Sequence, residues 1–410
     1  MAFRDRFQSR TLDAAWSQAI VLSLTETVSW GILYYAFVAL LVPMRNDLGW
    51  SEATLTLAYS IGILVSGLAA PLVGLWLDNH SPRNLMITGS LLASILVFAW
   101  SRVDNQFIYI LIWIGLGLAM SMTLYEPAFV TVTRWFAQDR AKPLLAITIF
   151  AGFASTIFLP LTTALESGYG WRSTVQILAI LILVLAFLPH LLFLRNPPPR
   201  PAPKPTTSAS PNAHDGLPLR SALRNSNFWR MTTGFGLQSF ASTAVAAFMI
   251  AYLLERGDGA GFAAAAAGGI GAAQVVARIF TTIFGRRYSQ IVLAAMMLAL
   301  QTLAVLVLLL WQDKIGVAIA VLLLGAGRGA LTLIRPILLA DTFGLRYFAS
   351  ISGAQSSILS ACGAIAPVSV GIAYGILASY EPIMWTMAAL SLTSAIALFS
   401  ARAPSPSISS

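Results

Sequence analysis

Five ionisable residues stand where this sequence is otherwise apolar. Arg278 lies in AAQVVARIFTTIF, Arg328 and Arg335 in LLLGAGRGALTLIRP, Glu26 in LSLTETVSWG and Glu126 in MTLYEPAF. A guanidinium carries five donors in a planar fork that matches a carboxylate bidentately. Arg328 and Arg335 are seven residues apart, close to two helical turns, so on one helix they face roughly the same way. A carboxyl in an apolar site holds its proton more tightly, and a nearby arginine loosens it. Arginines and acids of this kind therefore suit an anion site with a proton switch. The alternatives are permanent ion pairs between them, or, for Arg278, a side chain that snorkels to water. Trp30 and Tyr34 follow Glu26 at helical spacing, with Tyr35 adjacent, and can line an apolar pocket with hydroxyl donors. Tyr125 and Gln238 are further candidates of that type.

Each of these residues sits in a run long enough to cross a bilayer, about 20 residues. Twelve runs qualify, at roughly 17–43, 53–77, 84–101, 107–133, 142–163, 173–194, 228–254, 262–284, 290–311, 315–340, 349–375 and 382–400. Only 10% of the residues are charged, 57% are apolar, and the mean hydropathy is +0.77. A soluble domain carries about 25% charge, and the deficit here is spread over the whole chain. The runs after Gly261 and Ser350 are rich in small residues, which lets helices in lipid approach closely. The first run lacks a small-residue cleavage site near its end and is expected to stay as a spanning helix rather than a signal peptide.

Residues 196–216, NPPPRPAPKPTTSASPNAHDG, break the pattern with Pro, Ser and Ala and no apolar period. They read as a linker. The expected organisation is a six-helix bundle over 1–195, a cytoplasmic linker over 196–226 and a second six-helix bundle over 227–410. The fold class is an all-α integral membrane protein of twelve transmembrane helices. Of the 25 Lys and Arg, seventeen fall on the side of the N-terminus, five (Arg45, Arg102, Arg172, Arg256 and Lys314) on the other, and three are the arginines inside the runs. Positive loops stay in the cytoplasm, so both termini and the linker are expected there, in a cytoplasmic membrane. The net charge of +9 is thereby explained by the membrane, and no nucleic-acid partner is expected. The halves also resemble each other. Tyr125-Glu126-Pro127 and Ile334-Arg335-Pro336 pair at nearly the same offset that sets Pro71 opposite Arg278.

Several chemistries are excluded. No GxxxxGK[ST] loop is present, so an ATP-driven pump is not expected, and the Gly-rich GLGLAMS at 115–121 belongs to an apolar helix. There is no HExxH signature, and His80, His190 and His214 have no ligand spacing. A single cysteine, Cys362, permits no internal disulfide. No metal, no cofactor and no enzymatic activity are expected.

The chain resembles the major facilitator superfamily over residues 15–400. The mark is the loop after the second run, where Gly74, Asp78 and Arg83 match the family pattern; Asn79 and Ser81 depart from it. The resemblance implies a cytoplasmic gating role for Asp78 and Arg83. Within the superfamily, the stretch from Ser29 to Ser51, SWGILYYAF-x3-LVPMRNDLGWS, and the arginine of the eighth run resemble the monocarboxylate and oxalate/formate porter branch. In that branch such an arginine binds the substrate carboxylate, a role that carries to Arg278. The acid expected one turn earlier is replaced by Gln274, which moves the expected proton site to Glu126 and Glu26. The resemblance implies secondary transport by alternating access, with two bundles rocking about a central site. The expected cargo is a small organic anion, a monocarboxylate, coupled to protons, carried by a monomer in the lipid bilayer. Export of hydrophobic drugs or toxic metabolites, and organic anion exchange, stay open as alternatives.

Overall fold

A computed structural model describes the backbone over residues 2–136, 140–196, 216–284 and 288–401. Residues 197–215 of the expected linker, and the Arg286-Arg287 pair after the eighth run, lie outside the described residues. Among the described residues eleven continuous helices are long and apolar enough to span a membrane. We label α1 (Asp13–Leu48), α2 (Glu52–Asn79), α3 (Pro82–Trp100) and α4 (Gln106–Trp135). The helix Ala141–Leu192 is interrupted at Gly170, whose φ of 74° and ψ of 163° are not helical, and so supplies α5 (141–169) and α6 (171–192). Then follow α7 (Ser226–Glu255), α8 (Gly261–Ile283), α9 (Gln290–Leu310), α10 (Lys314–Phe343), α11 (Phe348–Leu377) and α12 (Glu381–Phe399). The twelve runs are thus twelve spanning segments.

Short polar side chains set where the helices begin. The Ser51 hydroxyl accepts from the Thr54 amide (3.1 Å) at α2, and Ser81, followed by Pro82 at the first helical position, accepts from the Arg83 amide (3.2 Å) at α3. The Asn105 side chain caps α4 through Phe107 and Ile108, and Asp313 caps α10 through Gly316. These two caps occupy corresponding places in the two halves. The Gly316 amide holds the Asp313 carboxyl below the usual carboxylate range.

The chain forms two compact units, one of residues 1–215 with Tyr347–Ala354, the other of Gly216–Arg346 with 355–410. The first residues of α11 therefore belong to the first unit. In that unit α2 and α4 cross with backbones touching. A side chain on Gly117 would collide with the Gly62 carbonyl. The surrounding core is aromatic: Phe37 stacks on Tyr59 (4.4 Å between centroids), and Trp113 meets Phe37, Tyr59 and Trp100 edge-on. In the second unit α8 and α10 make the corresponding crossing, where any side chain on Gly329 would strike the Gln274 backbone. Its core cluster is mostly aliphatic, with Ala241, Ala244, Met249, Val305, Val317 and Ala320 fully buried beside Tyr252. Large apolar side chains such as Leu72, Phe107, Leu310 and Ile376 stand exposed. In water such a surface is a liability, and facing lipid it is matched to its solvent.

Candidate functional site

Two departures from α-helical backbone build the site of the first unit. Residues Trp30–Tyr35 of α1 form a π-turn, in which the Ala36 amide reaches back to the Gly31 carbonyl. Single π-turns are rare and cluster at functional positions. The turn is held from both sides. The Tyr59 hydroxyl donates to the Tyr34 carbonyl (3.1 Å), and the Phe158 ring lies against Gly31, where a Cβ would overlap it. The second departure is in α4. Leu124, with ψ of −163°, breaks the helix, and Tyr125–Trp135 starts a new one inside the same span. Glu126 thus stands in the first turn of a half-helix at membrane depth, where helix-end amides favour negative charge. Such discontinuous helices are a recurring way of building a ligand site in a membrane.

The two irregular points meet. The Trp30 ring contacts Tyr125 at 5.0 Å and Tyr34 at 5.2 Å, and Tyr34 meets Tyr35 at 5.1 Å. Glu26, one turn before Trp30, is fully buried with the Trp30 indole as its neighbouring donor, though no contact there meets strict hydrogen-bond geometry. Glu126 is half-buried and accepts from the Ser352 hydroxyl at 2.7 Å, a residue of α11 that belongs to this unit. Glu26, Trp30, Tyr34, Tyr125 and Glu126 are therefore one neighbourhood, with Tyr59, Phe158 and Ser352 as members that the sequence did not single out. Tyr59 and Phe158 look like ordinary aromatic core residues by spacing, and Ser352 lies 226 positions from its partner.

Asp78 faces the first turn of α11, surrounded by the Ala349 and Ser350 amides and the Ser350 hydroxyl, though no contact there meets strict hydrogen-bond geometry. A carboxylate at a helix N-terminus is stabilised by the helix-end amides and the helix dipole. Gly74, one turn earlier, lies so close to the Ala349 carbonyl that a side chain could not fit. Arg83, just across the turn from Asp78, serves a different helix end. It donates to the carbonyls of Leu194 and Leu191, both at 2.7 Å, and so caps α6. Arg134, which its sequence context does not single out, works beside Asp78. Its guanidinium donates to the His80 carbonyl (2.9 Å) and the Leu77 carbonyl, closing the C-terminus of α2.

The second unit holds the three arginines. Arg278 on α8 is only 6% exposed, although it is a cation within a spanning helix. It lies six residues, about 9 Å at 1.5 Å per residue, inside the helix end at Phe284. Arg335 on α10 is half-buried and donates to the Ser356 hydroxyl of α11 at 2.9 Å. Unlike α4 at Pro127, α10 runs unbroken through Pro336, so the matched Pro motifs have different backbone consequences. Arg328 on α10 is exposed and borders a small cavity with Gln301. Gln238 is buried, with both ends of its amide engaged: Nε2 donates to Gln301 Oε1 (2.6 Å), and Oε1 accepts from Ser394 (3.5 Å). A cavity of about 890 Å³ in this unit has none of Arg278, Arg328 and Arg335 on its lining. It lies along α8, α9 and α10 and is lined by apolar residues including Phe262, Val276, Phe280, Leu293 and Leu322. Among the described residues no three His, Cys, Asp or Glu side chains group as metal ligands would.

Known proteins fit this architecture. At the level of fold, the chain resembles the solved Major Facilitator Superfamily transporter FucP, with a TM-score of 0.71 at 15% identity, covering 92% of this chain and 97% of that one. It is 30% identical over 183 residues to an MFS-type transporter of Gibberella moniliformis, covering 42% of this chain and 43% of that protein. It is 25% identical to monocarboxylate transporter 13 of Rattus norvegicus, covering 44% and 40%, and 25% identical to the oxalate:formate antiporter of Oxalobacter formigenes, covering 55% and 53%. The chain thus spans between 40% and 53% of the length of these three relatives. The superfamily's own sequence model matches residues 22–367. With most of its length inside that match, on a helical scaffold of twelve spanning segments, the chain belongs to the Major Facilitator Superfamily.

Proposed function

We propose that this protein is a secondary transporter of small organic anions, monocarboxylates in particular, working by alternating access in the cytoplasmic membrane with both termini inside. Arg278 and Arg335 serve as the anion-holding groups. Glu26 and Glu126 carry the coupled proton, and Trp30, Tyr34 and Tyr125 line the substrate's path. Asp78 takes a gating role at the first turn of α11. The observation that carries this reading is Arg278: a guanidinium almost removed from water inside an apolar helix, which is costly unless it serves a function. The names of the rat and Oxalobacter relatives point to the same chemistry of cargo.

The test is counterflow in liposomes with short-chain mono- and dicarboxylates, with and without a pH gradient. Arg278→Ala is expected to abolish carboxylate counterflow while leaving membrane insertion intact. Arg278→Lys should restore little, because a point charge does not reproduce a bidentate fork. Wild-type counterflow in the Ala variant removes Arg278 from the site. Exchange without proton coupling is the outcome if counterflow is robust while a pH gradient drives no net uptake.

A second reading is favoured by the 890 Å³ apolar cavity along α8, α9 and α10. A cavity of that size and lining suits a hydrophobic compound. Under that reading, efflux of a lipophilic dye is blocked by filling the cavity from its Gly269 wall with Gly269→Phe, and is indifferent to Arg278→Ala.

A further inference from the structure

Gln301 is a buried polar residue that the transport reading leaves without a task. It is 1% exposed, in the middle of α9. Its Oε1 is taken by Gln238, whose own carbonyl is taken by Ser394. The ladder is polar in one direction. A hydroxyl on α12 donates to an amide on α7, and that amide donates to an amide on α9. What remains at the end is the Gln301 NH2 group, which has no hydrogen-bond partner. A buried donor left unsatisfied is costly, so a ligand that accepts from it is favoured.

Gln301 also lines a cavity. Besides Gln301 the walls are Ser242, Val245 and Ala246 of α7, Ile270 of α8, and Leu324 and Arg328 of α10. Its volume is about 10 Å³, the space of a single water-sized group. The polar residues on its wall are Arg328, Gln301 and Ser242, and among the described residues no Asp or Glu lines it. Its position is held by close backbone packing. A Cβ on Gly327 would overlap the Gln301 side chain, so α9 and α10 meet there at glycine distance, next to Arg328.

We propose that this cavity is an anion subsite, separate from Arg278, that takes one acceptor atom: a halide, or one oxygen of a carboxylate. Arg328 supplies the charge at its mouth, the Gln301 amide supplies the donor at its floor, and Ser242 adds a hydroxyl. The apolar remainder of the wall, Val245, Ile270 and Leu324, limits the occupant to a small group. The Gln238–Gln301 ladder acts as a positioning device that fixes which end of the Gln301 amide faces the ligand.

The experiment uses the full-length protein purified in detergent and carrying Arg278→Ala and Arg335→Ala, so that the anion-holding groups of the transport site do not contribute. Its thermal unfolding midpoint is titrated with sodium chloride, sodium formate and, as an anion too large for the cavity, sodium gluconate. Binding to the folded state raises the midpoint in proportion to the logarithm of ligand concentration. Chloride or formate should raise it and gluconate should not. Arg328→Gln and Gln301→Leu should each weaken the effect about tenfold in apparent affinity, equivalent to about 1.4 kcal/mol. Arg328→Lys, which keeps the charge, should retain part of it and shows that the helix still folds. A response to formate alone assigns the subsite to one end of a carboxylate cargo; a response to both assigns it to small anions in general. Equal midpoints in all three salts, or a chloride or formate effect that survives both Arg328→Gln and Gln301→Leu, overturns the proposal. So does a ladder of reversed polarity, with the Gln301 carbonyl facing Arg328, which holds water and no anion.

Discussion

At the scale of single residues, the informative feature is how differently the two acids are placed. Glu26 is enclosed, with only the Trp30 indole as a nearby donor, and Glu126 is half-buried at a half-helix N-terminus with Ser352 as donor. One carboxyl is shut away from water; the other is partly open to it and takes a hydroxyl donor. Carboxyls in environments that differ in this way can divide the roles of acid and base between them. If Glu26 carries the coupled proton, Glu26→Gln should leave exchange intact and flatten the dependence of uptake on pH. Glu126→Gln should do so if the proton resides there instead. Uptake that keeps its wild-type pH profile in both variants rules out proton coupling through either acid. Arg278 and Glu26 were legible in the sequence, because an ion inside an apolar run is visible by itself. Tyr59 and Gln301 were not: each matters only through a partner, the Tyr34 carbonyl or the Gln238 amide, that a different helix supplies.

At the scale of elements, the spans are straightforward and their irregularities are not. The π-turn at Trp30–Tyr35 depends on Gly31 being small enough for the Phe158 ring to sit on it. Gly31→Ala forces the ring or the turn to move. Overpacking of this kind costs about 1–3 kcal/mol, and we expect a lower unfolding midpoint together with a loss of transport. A variant with unchanged midpoint and unchanged transport shows that the turn does not depend on this contact. At α10 the cap is electrostatic. The folded state holds the Asp313 carboxyl below its unfolded value, so its contribution is present above the unfolded pKa and fades as pH falls through the folded one. Amide hydrogen exchange at Ile315 and Gly316 should therefore be faster in Asp313→Ala than in wild type at neutral pH, and the difference should shrink as the solution is acidified below the carboxylate range. A difference that stays constant with pH removes the carboxylate from the cap.

At the scale of the whole molecule, the charge asymmetry of the loops makes a claim about sidedness. Ser221, in the exposed one-turn helix before α7, should lie in the cytoplasm, and Tyr169, exposed beside the break between α5 and α6, should lie on the opposite side. In a Cys362→Ser background, the Tyr169→Cys variant should react with a membrane-impermeant maleimide added to intact cells, and the Ser221→Cys variant should react only after the cells are opened. Reversal of that pattern inverts the topology. Either result is independent of which anion is carried, so a failed transport assay and a failed topology assay carry different messages.

Read along the chain alone, the apolar runs already establish a membrane protein and the number of its spans. These follow from quantities local to each segment: about 20 apolar residues cover the hydrocarbon, and an asparagine or aspartate before such a run caps it, as Asn105 and Asp313 do. What each buried polar group faces was settled by packing instead. The partners are far apart in the chain, Glu126 and Ser352 by 226 positions and Gln238 and Gln301 by 63, and a hydrogen bond acts only at contact distance. Glycines at the crossings, too small to show in a hydropathy pattern, set which backbones approach closely enough for such contacts to form.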